Sequence, residues 1–305
     1  MSIQSWRVGD VKITKIAPEG EGCVPWEMIP DATPEALLPI KWLQPHFITE
    51  AGEKIYGFNV LLVETPTLKI VVDTCVGNDK ARGGFEGLHM LSGPFIETFE
   101  RAACRLENVD IVLCTHLHAD HVGWNTKLVD GKWVPTFPRA RYLFGRKEYE
   151  ATRDEAENAS DSLEDTIRRE IFNDSIRPVV DAGMVDLVET THVVTPEVRL
   201  VPTDGHSPGH VSVEISSGGE RAFITGDLMH HPCQLTNPQW PVVVDYNVEA
   251  GIETRKVFCE DMADKDILVI GTHWPTPTAG HVIRDGAAFR LQLDEDSVST
   301  ETGRS

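Results

Sequence analysis

One segment leaves this chain fewer choices than any other: Thr115-His116-Leu117-His118-Ala119-Asp120-His121 sets three imidazoles and a carboxylate within seven residues. It directly follows the apolar run Val109 to Cys114, which predicts a short buried strand. Side chains two apart at a strand end, or in the loop after it, face the same way, so His116 and His118 can bind one cation. Asp120 and His121 sit where a helix would begin and can turn toward a second. Imidazole and carboxylate without thiolate suit zinc first, then iron, cobalt or manganese. Surface histidines at a helix start are the plainer alternative, and the rest of the chain speaks against it.

One motif cannot close two metal shells, and three later segments offer further ligands. Thr203-Asp204-Gly205-His206-Ser207-Pro208-Gly209-His210 puts His206 in a tight turn before a strand. Phe223-Ile224-Thr225-Gly226-Asp227 ends an apolar strand in a carboxylate, and Ile270-Gly271-Thr272-His273-Trp274 ends another in an imidazole. The six cysteines are scattered without any C-x-x-C pair, so they read as reduced and mostly buried small hydrophobes.

The organisation is that of an α/β chain with two similar halves. Trp6 to Ile16 alternates about Gly9-Asp10 and predicts two edge strands, Phe58 to Glu64 and Lys69 to Asp73 a buried hairpin, and Phe95 to Leu106 a helix. Glu148 to Asn173 reads as one or two solvated helices. Strands follow near Val198 to Pro202, His210 to Ile215 and Arg221 to Thr225, then a helix over Val248 to Met262 and strands over Ile267 to Ile270 and Ala287 to Leu293. Both halves run through strands and a helix to a short apolar strand ending in Thr-His, at Thr115-His116 and Thr272-His273. The expected division is one domain over 1–305, with halves of about 1–180 and 181–293 and a frayed tail at 294–305. Between Pro18 and Phe47 the chain is proline-rich and carries Trp26, Trp42 and Phe47; it reads as an irregular loop with a short helix near Glu35 to Leu38 that walls a cleft.

Charge narrows the partners. Of the 305 residues 28 are Lys or Arg and 48 are Asp or Glu, a formal balance of −20 that repels phosphate backbones and anionic lipid heads. No nucleic-acid or membrane partner is expected. No apolar run approaches the roughly 20 residues of a membrane span, and Met1 to Asp10 lacks a basic region followed by an apolar stretch. The expected compartment is the cytoplasm.

The ordered series H-x-H-x-D-H, G-H-S-P-G-H, G-D and a strand-ending T-H, from about Asn59 to His281, resembles the metallo-β-lactamase superfamily. That resemblance implies an αββα four-layer sandwich of two related halves with the metals at one sheet edge. It also implies that His116, His118 and His206 bind the first metal, that Asp120, His121 and His273 bind the second, and that Asp227 bridges them. His210 falls after the ligand position and is expected behind the ligands or in the core.

Two cations sharing a carboxylate and a water lower that water's pKa toward neutrality, so a metal-bridging hydroxide can act as nucleophile. A nucleophilic serine is not required, and no G-x-S-x-G occurs. Asp120 can accept or relay the proton, as is proposed for its counterpart in the family. True β-lactamases of this fold generally lack a carboxylate at the position of Asp227, and flavodiiron proteins carry glutamate at that of His118. The expectation is a dinuclear zinc hydrolase of a small lactone or carboxyl ester. A phosphotriesterase or phosphodiesterase of the same fold is the enzymatic alternative, a non-catalytic metal-binding protein the other, and a homodimer is an allowed assembly. His230 stands where acylhomoserine lactonases carry a tyrosine, and Gly226-Asp227-Leu228-Met229-His230 looks more like the branch containing methyl parathion hydrolase. His230 is the candidate substrate contact, and Trp124, Trp133 and Phe137, with the Trp26/Trp42/Phe47 loop, are candidates for an apolar mouth.

Overall fold

The computed structural model describes residues 3–83 and 87–294. The tail expected at 294–305 lies outside the described residues from 295 onward. Fourteen strands form two seven-stranded sheets, each ordered along the sheet as along the chain. The first holds β1 (Ile3–Val8), β2 (Val11–Ile16), β3 (Val60–Glu64), β4 (Lys69–Val72), β5 (Ile111–Leu113), β6 (Arg141–Gly145) and β7 (Val185–Val188). The second holds β8 (Val193–Thr195), β9 (Val198–Pro202), β10 (Val211–Ser217), β11 (Glu220–Ile224), β12 (Leu268–Ile270), β13 (Ala279–Asp285) and β14 (Ala288–Gln292). Strand β7 thus extends the first sheet beyond residue 180.

Hydrophobicity explains the layers. The short strands at the centre, such as Val-Leu-Leu-Val in β3 and Ile-Val-Val in β4, are apolar on both faces because each sheet is covered on both. One buried cluster lies between the sheets, joining Val63, Ile70 and Leu113 to Val213, Ile224 and Ile270. A second covers the outer face of the first sheet with α2 (Phe95–Ala102), α4 (Arg146–Glu157) and α6 (Arg177–Asp181). A third covers the second sheet with α1 (Pro34–Leu37), α7 (Cys233–Thr236) and α8 (Val248–Met262). This is the expected αββα sandwich. Its halves match in detail: β3 and β4 form a hairpin, α2 follows, and β5 returns parallel to β4, just as β10 and β11, α8 and β12 do.

Several expectations need correction. β2 lies between β1 and β3 rather than at an edge. The helix expected over Phe95 to Leu106 stops at Ala102, and a 3₁₀ turn at Leu106–Asn108 leads into β5. The charged stretch after Glu148 does form α4 and α5 (Leu163–Ile171), but it ends in a π-helical turn, Phe172–Ile176, that buries Asp174 against Lys80 and Arg82. Propensity alone did not show that these charges neutralise one another. Trp124 stacks on Phe95, centroids 4.5 Å apart, inside the first-sheet core, and Phe137 packs there too. Trp42 and Phe47 pack under the second sheet, and Trp133 lies over the Lys80 ammonium. Among these aromatics only Trp26 reaches the cleft described below. Among the described residues no helix is long and apolar enough to cross a membrane.

Candidate metal centre

The carboxyl ends of β5, β11 and β12, together with the loop between β9 and β10, converge at one edge of the sandwich. β5 runs out into Thr115-His116, and β12 into Gly271-Thr272-His273. The parallel pairing of β4 with β5 and of β11 with β12 places these ends side by side. His118 caps α3 (Ala119–Val122) in extended conformation, so the helix begins immediately after it and turns Asp120 and His121 inward.

All seven residues expected as ligands meet here. His206 Nε2 stands 3.1 Å from His116 Nε2 and 3.0 Å from His118 Nδ1. His121 Nε2 stands 3.2 Å from His273 Nε2, with Asp120 Oδ2 3.4 Å from the latter. Asp227 lies between the clusters: Oδ1 is 3.2 Å from His121 and 3.1 Å from His273, while Oδ2 is 3.4 Å from His206 and 3.7 Å from His116.

The hydrogen-bond network shows what these atoms offer. The His206 Nδ1–H donates to Asp245 at 3.0 Å, His121 Nδ1–H to Asp73 at 2.9 Å, and His273 Nδ1–H to Gly57 O at 3.1 Å. The Thr115 hydroxyl donates to Asp73 and so accepts from His116 Nδ1–H at 3.1 Å. With these four Nδ1 atoms committed, their Nε2 lone pairs and the His118 Nδ1 converge at one site, an arrangement shared cations stabilise. Two nitrogens on one tetrahedral zinc are about 3.4 Å apart, close to the spacings found. The residues present therefore fit two divalent cations.

Electrostatics agrees. Burial pushes His116 well below the usual imidazole range and His206 down to about 4, keeping both rings neutral ligands at pH 7. Burial opposes charge on His121 and His273 as well, but Asp227 and other carboxylates outweigh it and raise both. The field that draws a proton onto these rings also draws a cation. Burial disfavours the Asp227 anion, yet the surrounding imidazoles hold it well below the usual carboxylate range.

Other residues hold the ligands in place. The His210 Nε2 accepts the Asp227 backbone N–H at 2.9 Å, and its Nδ1 meets Thr203, the supporting position expected of it. Asp73, Asp245 and Glu148 were not anticipated. Asp73 follows β4 as Asp227 follows β11, so its pseudo-repeat position was a readable signal; it adopts φ 55°, a left-handed conformation that aims its carboxylate at Thr115 and His121. Glu148, buried rather than solvated, accepts from Leu117 N, Ser207 Oγ and Gly209 N, tying α4 to both ligand loops. Gly123 has a steric reason: a β-carbon there would stand 1.9 Å from the Val76 carbonyl.

The site opens into a cleft of about 830 Å³ walled by Trp26, Phe58, Leu88, Ile167 and Val243. Arg168 is the single Lys or Arg among its described lining residues, and Glu164, Asp165 and Glu155 pair with it. His230 also lines the cleft, with Nε2 3.2 Å from Asp227 Oδ2, its ring stacked on His273, and Nδ1 buried without a partner.

Comparison with known proteins agrees with this picture. Residues 57–256 match the family model of the metallo-beta-lactamase superfamily. The probable metallo-hydrolase YybB of Bacillus subtilis (strain 168) is 26% identical over 163 residues, covering 52% of this chain and 64% of that protein. An N-acyl homoserine lactonase of Bacillus cereus is 27% identical over 122 residues, covering 40% of this chain and 39% of that one. The chain thus matches less than two thirds of either relative's length. Among solved structures, AidC, a dizinc quorum-quenching lactonase, superimposes with a TM-score of 0.77 at 18% identity, covering 96% of this chain and 97% of its own. The hydrolase AbOPH does so with a TM-score of 0.77 at 22% identity, covering 96% and 98%. Likeness at this identity speaks to the fold.

Proposed function

The chain belongs to the metallo-beta-lactamase superfamily, and from that premise we propose that it is a hydrolase that uses two divalent cations, zinc first, to cleave a small lactone or carboxyl ester. The observation that carries this reading is Asp227, whose two oxygens face separate clusters of imidazole nitrogens. When bound, two such cations supply a water activated near neutral pH and polarise the carbonyl under attack.

This chain's residues do the rest. His116, His118 and His206 would hold one cation and Asp120, His121 and His273 the other, with the Asp227 carboxylate between the two groups. The partial exposure of Asp120 to the cleft supports a role for it as acceptor of the proton released on attack. The apolar walls suit an uncharged organic group, and Arg168, the one Lys or Arg among the described lining residues, is already paired with Glu164. That favours a neutral lactone or ester over a phosphodiester. The homoserine lactonase relatives support the lactone. A panel of chromogenic lactones, acyl esters, phosphotriesters and phosphodiesters, compared by kcat/KM, tests this; preference for either phosphoester class would replace the reading.

His230 is assigned to hold Asp227 Oδ2 through its Nε2–H while lining the cleft. His230→Ala is therefore expected to weaken zinc binding by roughly 10- to 100-fold, with turnover largely restored at saturating zinc. Full metal content with kcat and kcat/KM lowered together would instead make His230 a direct substrate contact.

A further inference from the structure

His206 is carried by the loop between β9 and β10, and α8 holds that loop. Gly251, Thr254 and Arg255 share one face of α8 by their helical spacing. Thr254 Oγ1 donates to Asp204 O at 2.7 Å, the Asn247 N–H donates to Gly205 O at 2.9 Å, and a β-carbon on Gly205 would stand 2.3 Å from the Gly251 nitrogen.

Arg255 reaches further. Its guanidinium is 1% exposed and donates from Nη1 to Asp245 Oδ2 at 3.1 Å. Nε and Nη2 donate to the carbonyls of Pro238 and Trp240 at 3.4 and 3.2 Å. Asp245 Oδ1 in turn accepts the His206 Nδ1–H at 3.0 Å. A β-carbon on Gly251 would lie 2.6 Å from Asp245 Oδ2, so this glycine, unfavourable inside a helix, leaves the room the ion pair needs. Neither the sequence motifs nor the ligand set accounts for Arg255.

We propose that Arg255 is a positioning residue for the first cation: through Asp245 it fixes the His206 ring with the Nε2 lone pair turned toward His116 and His118. The inference rests on the two-cation reading. A carboxylate held by His206 alone could swing about its side-chain torsions, and the imidazole with it. The guanidinium, clamped by two carbonyls, removes that freedom. The rings of the second cluster are oriented without Arg255, His121 by Asp73 and His273 by Gly57 O. The loss should therefore be confined to one cation. Arg255 also ties this ligand to the segment 238–246, whose Val243 and Val244 line the cleft.

The test measures stepwise zinc binding by competition with a chromophoric chelator, alongside the visible spectrum of the cobalt(II)-loaded protein. In Arg255→Met one of two equivalents should bind about 10- to 100-fold more weakly, the other within about twofold of wild type, with an altered cobalt band for the weakened site. Arg255→Lys should recover part of the loss, keeping charge and a donor without the planar fork. If Arg255→Met does not fold, the isosteric Asp245→Asn interrupts the same chain and should show the same one-site loss. Wild-type affinity and spectrum in a folded variant would overturn the proposal, as would equal weakening at both sites, which marks general loosening. Wild-type protein binding fewer than two equivalents would sink the two-cation reading, and this inference with it, before any variant is compared.

Discussion

Asp227→Asn is expected to lower turnover by at least about 10²-fold while leaving the protein folded. The two oxygens of Asp227 face opposite ways, Oδ1 toward His121 and His273 and Oδ2 toward His206 and His116. An amide keeps the shape but replaces one acceptor with a donor and removes the negative charge between the two proposed cations. Whichever way the amide turns, one cluster then faces an N–H₂ group and loses its bridge. The measurement is kcat/KM on a lactone or ester together with zinc content at matched circular dichroism. Unchanged turnover would mean that the bridge is misassigned.

Dialysis against a strong chelator is expected to abolish hydrolysis, and two equivalents of zinc per chain to restore it. Lone pairs converging at 3.0 to 3.2 Å at one edge of the sandwich are stabilised by positive charge between them, so the folded chain is expected to gain stability from metal. For a single site at free zinc 100-fold above Kd the gain is about 2.7 kcal/mol, and the thermal midpoint should rise on reconstitution. Elemental analysis showing one equivalent or none in the presence of excess zinc would refute the two-cation centre.

How much of this was legible beforehand depended on whether the information was local. A strand running into a histidine is written in consecutive residues, so the ends of β5 and β12 and the carboxylate after β11 could be read directly. Ordered along the chain, they were enough for the family and its sandwich. The helix α8 was also local: Asn247 caps it by accepting from the Ala250 N–H, and it spans Val248–Met262 as its pattern predicts.

What failed were inferences about where a large or charged side chain would point. An aromatic three residues beyond a ligand has the same composition whether it faces a cleft or a core, and only the stacking of Trp124 on Phe95 decided it. Glu148 opens a stretch whose charge argues for solvent and Asp174 directly follows it, yet each is buried among donors from distant segments.

The sequence by itself therefore determined the candidate ligand set, the order of the elements and the sign of the charge, because each is a property of short consecutive runs. The tertiary structure alone decided which carboxylates orient the imidazoles: Asp73 reaches His121 across 48 residues and Asp245 reaches His206 across 39. Such pairs carry no periodicity and no spacing rule. They exist because the two sheets pack face to face and bring three strand ends and a loop to one edge, where a buried Nδ1–H must find an acceptor.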